Sequence, residues 1–455
     1  MTEYDDCDRP LWDVPIDRRE LLRKGAIAGG ALAAAGMLSG RAFGALPEAA
    51  GNVTFYSTQL NTVQESEAFR NVLVQGFDGK VEAIFAASDA EFDSRVRAEA
   101  RANKGTVDVL GALHGSFSTL EDRDYLLDLS DVAKDFTKGK TAIPSNLMTL
   151  GKLGTKKQYY MPWIQATYVM AANEKVLPLL PKGAKVNALT YGQVNQWAKN
   201  IEAKYGKRLG FPAGPTGLIH RFFQGYLVPA FSGGVVTTFK TPQAASGWVW
   251  MKGAWQHTHP QSLTYGFMQD PLLSEEVLLA FDHVARLKNA LTLRAGAFKV
   301  FPAPIGPKGL AFMPVLAGLA IPKTASNVAG AKALIRHLLS LSTQAKTLST
   351  VGFFPVVSGR ISKRVSSGLR AESNAVKLQQ TSKKALPSLL PIGLGGEGGN
   401  FNKVYRDTFT RIVVNGEAPT GVLADEGAQL QAIMDKTGAP CWKPDPPSTG
   451  ACKVK

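Results

Sequence analysis

The chain has 455 residues, 45% of them hydrophobic and 20% charged, with a net charge of +15. This is globular composition with enough apolar material for more than one core, and no low-complexity block or internal repeat interrupts it. The basic residues are scattered, with no arginine-rich block or aromatic-interleaved basic strip, so the charge argues against nucleic-acid binding and suits residence near an anionic membrane surface.

The N-terminal segment differs from the rest. Arg18-Arg19 precedes Leu21-Leu22, the weakly apolar stretch Gly25 to Leu38 follows, and small residues surround Gly44-Ala45. A charged region, a short apolar core and a small-residue cleavage point make a secretory leader, and the stretch is too short for the roughly 20 residues that span a bilayer. Paired arginines with an Ala/Gly-rich core resemble a twin-arginine signal over residues 1–44. Removal of the leader takes Cys7 and leaves Cys441 and Cys452, which flank a Pro-rich tail (441–455) and are expected to pair in an oxidising compartment. No lipidation motif surrounds a cysteine at the end of the apolar core.

"NVTFYST" (52–58) reads as a strand, "ESEAFRNVLVQGF" (65–77) as a helix, "KVEAIFA" (80–86) as a strand, 90–103 as an amphipathic helix and "VDVLGAL" (107–113) as a buried strand. Strands alternating with helices predict a parallel α/β sheet, whose ligands sit beyond the carboxyl ends of the strands. That rule selects Tyr56, Ser57 and Gln59, then Ser88 and Asp89, then His114. Residues 132–157 read as surface loops and short helices. The stretch 159–177 reads as a long apolar strand entering a helix and carries Trp163 and Gln165. Thr190 with Gln193 forms a capping box for the next helix. "RLGFPAGPTGL" ends in a loop whose Gly214 and Thr216 expose polar groups. "LLAFDHVARL" (278–287) sets Phe281, Asp282 and His283 beside Arg286, and the spacing of Asp282 and Arg286 suits a helical ion pair. Beyond it come strand and loop over 300–325, a single helix through "NVAGAKALIRHLLSLSTQAKTL", an extended "VGFFPVVSG", and alternating helices and loops.

The order of these segments resembles the family 1 extracellular solute-binding proteins of ABC importers. The resemblance rests on "VTFYST", on "YYMPWIQATYVMAANEKVL", on "LLSEEVLLAFDHVAR", and on "FPAPIGPKGLAFMPVLAGLAIPKTA" with the helix and "STQA" after it, and it covers about residues 51–420. It implies an α/β fold of the type II periplasmic-binding-protein kind. Lobe one would hold 51–165 plus 300–348, and lobe two 166–299 plus 349–440. The chain would cross near 164–169, 299–300 and 348–352. It also implies a monomer that closes on a small solute, most simply a sugar, and presents it to permease subunits. The chain departs from many relatives in lacking a lipidated cysteine, so the mature protein is expected to be free in the periplasm, or held by other means in a single-membrane cell. The contacts it implies are Tyr56, Ser57, Gln59, Ser88, Asp89, His114, Trp163, Gln165, Gly214, Thr216, Phe281, Asp282 and His283, with Arg286 as internal partner of Asp282. A polyamine, ferric ion or phosphorylated polyol would suit the same fold. An exported enzyme is the competing class. The sequence has no Gly-x-Ser-x-Gly, no His-Glu-x-x-His and no dinucleotide loop, and His257 and His259 lack a third ligand, so neither metal nor cofactor is expected.

Overall fold

A computed structural model describes residues 50–359 and 366–455. The leader, its cleavage point and its export route lie outside the described residues. Twelve strands form two main sheets: β1 (Asn52–Ser57), β2 (Lys80–Phe85), β3 (Val109–Leu113), β4 (Met161–Ala166), β5 (Tyr168–Asn173), β6 (Leu209–Gly210), β7 (Leu279–His283), β8 (Phe298–Phe301), β9 (Leu310–Phe312), β10 (Val315–Ala320), β11 (Phe354–Pro355) and β12 (Ala385–Pro387). The first sheet runs β11-β4-β10-β3-β1-β2 and the second β6-β7-β5-β8, while β9 and β12 make a small parallel pair. In the first sheet β1 is parallel to β2 and β3, with Tyr56 opposite Ile84 and Leu110. β10 then enters antiparallel to β3 and β4.

The second sheet shows why an apolar run need not face one way. Along β5, Tyr168, Met170 and Ala172 join one core, while Val169 and Ala171 join the other. Along β7, Leu279 and Phe281 share the first of these faces and Ala280 the second. Helices cover both faces, so period-two alternation leaves every position buried.

The chain passes between the sheets at Thr167, between β4 and β5. β8 pairs with β5 in the second sheet, so the return falls at Met313-Pro314, between β9 and β10, and not at 299–300. β11 pairs with β4 in the first sheet, so the last passage follows Pro355 and does not lie at 348–352. Hydrogen bonds lock the passages together. The Thr167 hydroxyl donates to the Met313 carbonyl at 2.8 Å and lies 3.0 Å from the Tyr226 hydroxyl, which accepts from the Tyr168 N–H at 2.9 Å. Gln379, fully buried, accepts the Ala303 N–H at 3.1 Å and directs its amide toward Thr167 and Tyr168.

Two helices depart from expectation for identifiable reasons. The segment expected to be helical over 65–77 is an α-helix at Val63–Ala68 that widens into a π-turn at Phe69–Leu73 and stops there. The long helix through "STQA" is two helices, Val328–Leu338 and Leu341–Val351, because Ser340 caps the second by accepting the Thr343 N–H. His114, which the strand-end rule sets on the ligand-facing rim, begins a helix, His114–Glu121. Gln344 of "STQA" is fully buried; it donates to the Trp163 and Leu338 carbonyls at 3.0 Å and accepts from Val356 at 2.9 Å.

The Pro-rich tail is docked on the second lobe. Cys441 and Cys452 are joined by a disulfide, and the buried Asp445 carboxylate accepts from the N–H groups of Val235, Val236 and Thr237, each at 2.9 Å. Two predictions follow from these buried polar nodes. Tyr226→Phe orphans the Tyr168 N–H and should lower the unfolding free energy by about 2 kcal/mol in a denaturant titration. Asp445→Ala orphans three donors and should cost about 3 kcal/mol or more by the same measurement.

Candidate functional site

The two lobes face each other across a cavity of about 250 Å³. Lobe one supplies the loop Thr58–Asn61 after β1, Ala86–Asp89 after β2, Leu113, Val315 and Phe353. Lobe two supplies Tyr168, Leu218, His220, Arg221, His283, Arg286, Leu390 and Asn402. The cavity therefore lies at the carboxyl ends of the parallel strands, where backbone groups are not consumed by further pairing. The turn after β1 is held tightly: the Ser57 hydroxyl accepts the Gln59 N–H at 2.9 Å, and Leu60 sits in the left-handed region at φ 59°. A leucine there is strained by about 1 kcal/mol, a cost typically found where a loop is shaped for binding.

Of the residues expected to meet a ligand, Gln59, Ser88, Asp89 and His283 line the cavity. Ser88 also caps the helix Asp89–Ala102 by accepting the Glu91 N–H. Asp89 has its carboxyl pushed up, first by burial, with Arg221 across the cleft pulling the other way. His283 is fixed by its surroundings: Nδ1 accepts the Ala285 N–H at 3.2 Å, which leaves Nε2 as the protonated donor. Burial, then Arg286, pushes its pKa down to about 3, so the ring is neutral.

The other expected contacts lie elsewhere. Tyr56 is fully buried, stacked on Phe92 at 5.3 Å beneath the Arg95 guanidinium, with its pKa pushed up to about 12 chiefly by burial. Ser57 is spent on the turn just described. Trp163 is fully buried edge-on to Phe55 and Phe69. Gln165 donates to the Pro355 carbonyl at 3.0 Å and so ties β4 to β11. His114 bonds the Tyr160 hydroxyl through Nδ1 at 2.7 Å, and burial lowers its pKa to about 4. Gly214 bonds Tyr265 through its backbone, and Thr216 is exposed outside the cavity. Phe281 shares a face of β7 with His283 but is fully buried one residue pair further from the cavity, stacked parallel to Tyr168 at 5.6 Å. Asp282 points the opposite way and accepts from the Met268 and His283 N–H groups at 2.6 and 2.7 Å. Arg286 does not bond it. Arg286 instead reaches Glu65 of lobe one at 3.7 Å, a charge pair spanning the cleft.

His220, Arg221 and Asn402 were not selected by the strand-end rule, because they come from helices. His220 and Arg221 sit in Ile219–Phe222, and Asn402 in Gly398–Phe409. The signal available was two basic side chains inside "GLIHRFFQGYL", an otherwise apolar run. Arg221 donates to Gln224 at 3.2 Å, and Gln224 donates to Asn402 at 3.0 Å, so the three form a braced wall. His220 is 4% exposed, and its Nδ1 has no hydrogen-bond partner among the described residues.

Two hinged α/β lobes with a polar cleft at their strand ends define a binding protein that encloses a small molecule. Residues 73–366 match the profile of the bacterial extracellular solute-binding proteins, and the chain belongs to that family. It is a solute-binding component of transport and not an enzyme. No curated protein matches the sequence. Among solved structures, maltose-bound MalE3 of T. maritima superposes with a TM-score of 0.67 at 18% identity, covering 84% of this chain and 100% of that one. The GacH receptor of Streptomyces glaucescens, solved unliganded and with acarbose, gives 0.65 at 17%, covering 84% and 98%. UgpB of Mycobacterium tuberculosis in complex with glycerophosphocholine gives 0.64 at 17%, covering 85% and 99%. At these identities the likeness shows the fold.

Asp282 gives a pH prediction. Burial raises its pKa to about 7, against an unfolded value near 3.8, with its two N–H bonds opposing the shift. A carboxyl with a raised folded pKa stabilises most below its unfolded pKa, and that stability is lost as pH rises toward 7. Unfolding free energy of the wild type relative to Asp282→Asn should therefore fall between about pH 4 and 7, as read by parallel denaturant titrations.

Proposed function

We propose that the protein is the substrate-binding component of an ABC importer, working in the periplasm after export by the twin-arginine route. It holds a small polyhydroxylated solute, a sugar in the simplest case, between its lobes and presents the closed form to the permease. The observation that carries this reading is the cleft itself: each lobe supplies half of its polar wall. A solute bound by one lobe gains the second set of hydrogen bonds only when the lobes meet, so its differential affinity favours the closed form. The Glu65–Arg286 pair likewise draws one charge from each lobe. The rim supplies the donors and acceptors that hydroxyls need: the His283 Nε2–H, the Asn402 amide, Gln59 and Asp89. Tyr168 and Phe353 supply apolar surface for ring carbons. Ligand chemistry is not altered.

The test is thermal unfolding of the mature protein against mono- and oligosaccharides, polyols, polyamines and ferric citrate. A solute at about 100 times its dissociation constant should stabilise by about 2.7 kcal/mol, a rise of about 5 °C or more. A response to polyamines or ferric citrate alone would overturn the polyhydroxylated ligand and leave the fold standing. His283→Ala removes one oriented donor from a desolvated site and should weaken a responding sugar about tenfold by calorimetry.

A further inference from the structure

The lobe-two wall carries more positive charge than its own residues neutralise. Arg221 and Arg406 are neighbours, and burial first, then Arg221, holds the Arg406 guanidinium below its ordinary value. Arg406 donates to the Gly217 carbonyl and Arg221 to the Gln224 amide oxygen, both neutral acceptors. Among the described residues no carboxylate forms an ion pair with either guanidinium. Asp89 is the carboxylate that feels Arg221, from the opposite lobe, and it is one acid against two bases. Glu65 already answers Arg286. The imbalance is therefore local to the Arg221 end. His220 stands beside both guanidiniums, buried, neutral and with Nδ1 unpartnered. Buried polar nitrogens are seldom left without a partner, and His220 also lines the cavity beside Arg221.

Resting on the solute-binding reading above, we infer that the bound solute carries an anionic oxygen group, a carboxylate or a phosphate, seated against Arg221 and Asn402 with His220 alongside. Arg221 has Nε and Nη2 unengaged, a planar fork that matches two oxygens of such a group. The hydroxyl-bearing part of the solute then extends toward His283 and the Thr58–Asn61 loop. Burial also pushes the Asp89 carboxyl toward its neutral form, which lessens its repulsion of an incoming anion.

The mature protein is titrated by calorimetry with glucose, glucuronate, galactose, galacturonate, glucose 1-phosphate, glycerol and glycerol 3-phosphate. At least one acidic compound should bind about tenfold or more tighter than its neutral counterpart, with the preference shrinking as salt rises. Whether uronates or phosphate esters show the preference separates carboxylate from phosphate. Arg221→Gln should cost the acidic compound about tenfold more than the neutral one, and Arg221→Lys should restore part of the loss. Circular dichroism and melting confirm that both variants fold. A neutral sugar that binds as tightly as its acidic counterpart, or equal losses for both on Arg221→Gln, overturns the inference and leaves the solute-binding reading intact. Thermal stabilisation by a neutral oligosaccharide with no response to any acidic compound likewise overturns the inference alone.

Discussion

The fold depends on how the three chain passages between the lobes are held together. A single hydroxyl, that of Thr167, bonds the first passage to the second at Met313, and Tyr226 and Gln379 satisfy the backbone on either side. Irregular backbone between two sheets has no ladder to consume its N–H and C=O groups, so side chains must do so. These bonds fix where each lobe begins. Apolar packing continues past them, because Val169, Ala171 and Ala280 of the second sheet share a core cluster with Phe55 and Trp163 of the first lobe. The cleft lies directly beside these passages, with Tyr168 serving both.

Charge is distributed in a complementary way across the cleft. Lobe one contributes Glu65 and Asp89, and lobe two contributes Arg221 and Arg286. These side chains are solvated when apart and gain strength when water is excluded between them. Their geometry is loose: the Glu65–Arg286 pair is 3.7 Å apart with Glu65 buried, so the cost of desolvating the two charges offsets much of their attraction. The braced Arg221–Gln224–Asn402 wall adds orientation to this field, because each member is fixed by the next.

Much of the architecture was legible in the sequence because hydrophobic periodicity and caps are local. β1, β2 and β3 fall where β-branched runs place them, and Thr190 and Gln193 form the reciprocal cap their spacing predicts. The site was half legible. The strand-end rule finds the rim but not the face, and both faces of each sheet here are covered. Tyr56 and Phe281 therefore turn into cores although each sits near the end of its strand. The residues past the last ladder bonds, Gln59, Ser88 and Asp89, are those that reach the cleft. His220, Arg221 and Asn402 escaped because a helix brings them in from segments more than a hundred residues apart in the chain. The Arg286 partner was misjudged for a related reason: a four-residue spacing implies a helical neighbour, but Asp282 belongs to a strand and Arg286 to the helix after it.

The glycine-rich segment after Leu390 has a mechanical meaning. Gly395, Gly396 and Gly398 lie against Arg97, Asp93 and Asp89, along one face of the opposing lobe's helix. A surface without side chains has no knobs to seat in its partner's grooves, so this contact has no preferred notch. A side chain at Gly395 or Gly398 would meet Arg97 or Asp89 within 3.2 Å, so bare backbone there is what lets the two lobes approach this closely beside the cleft.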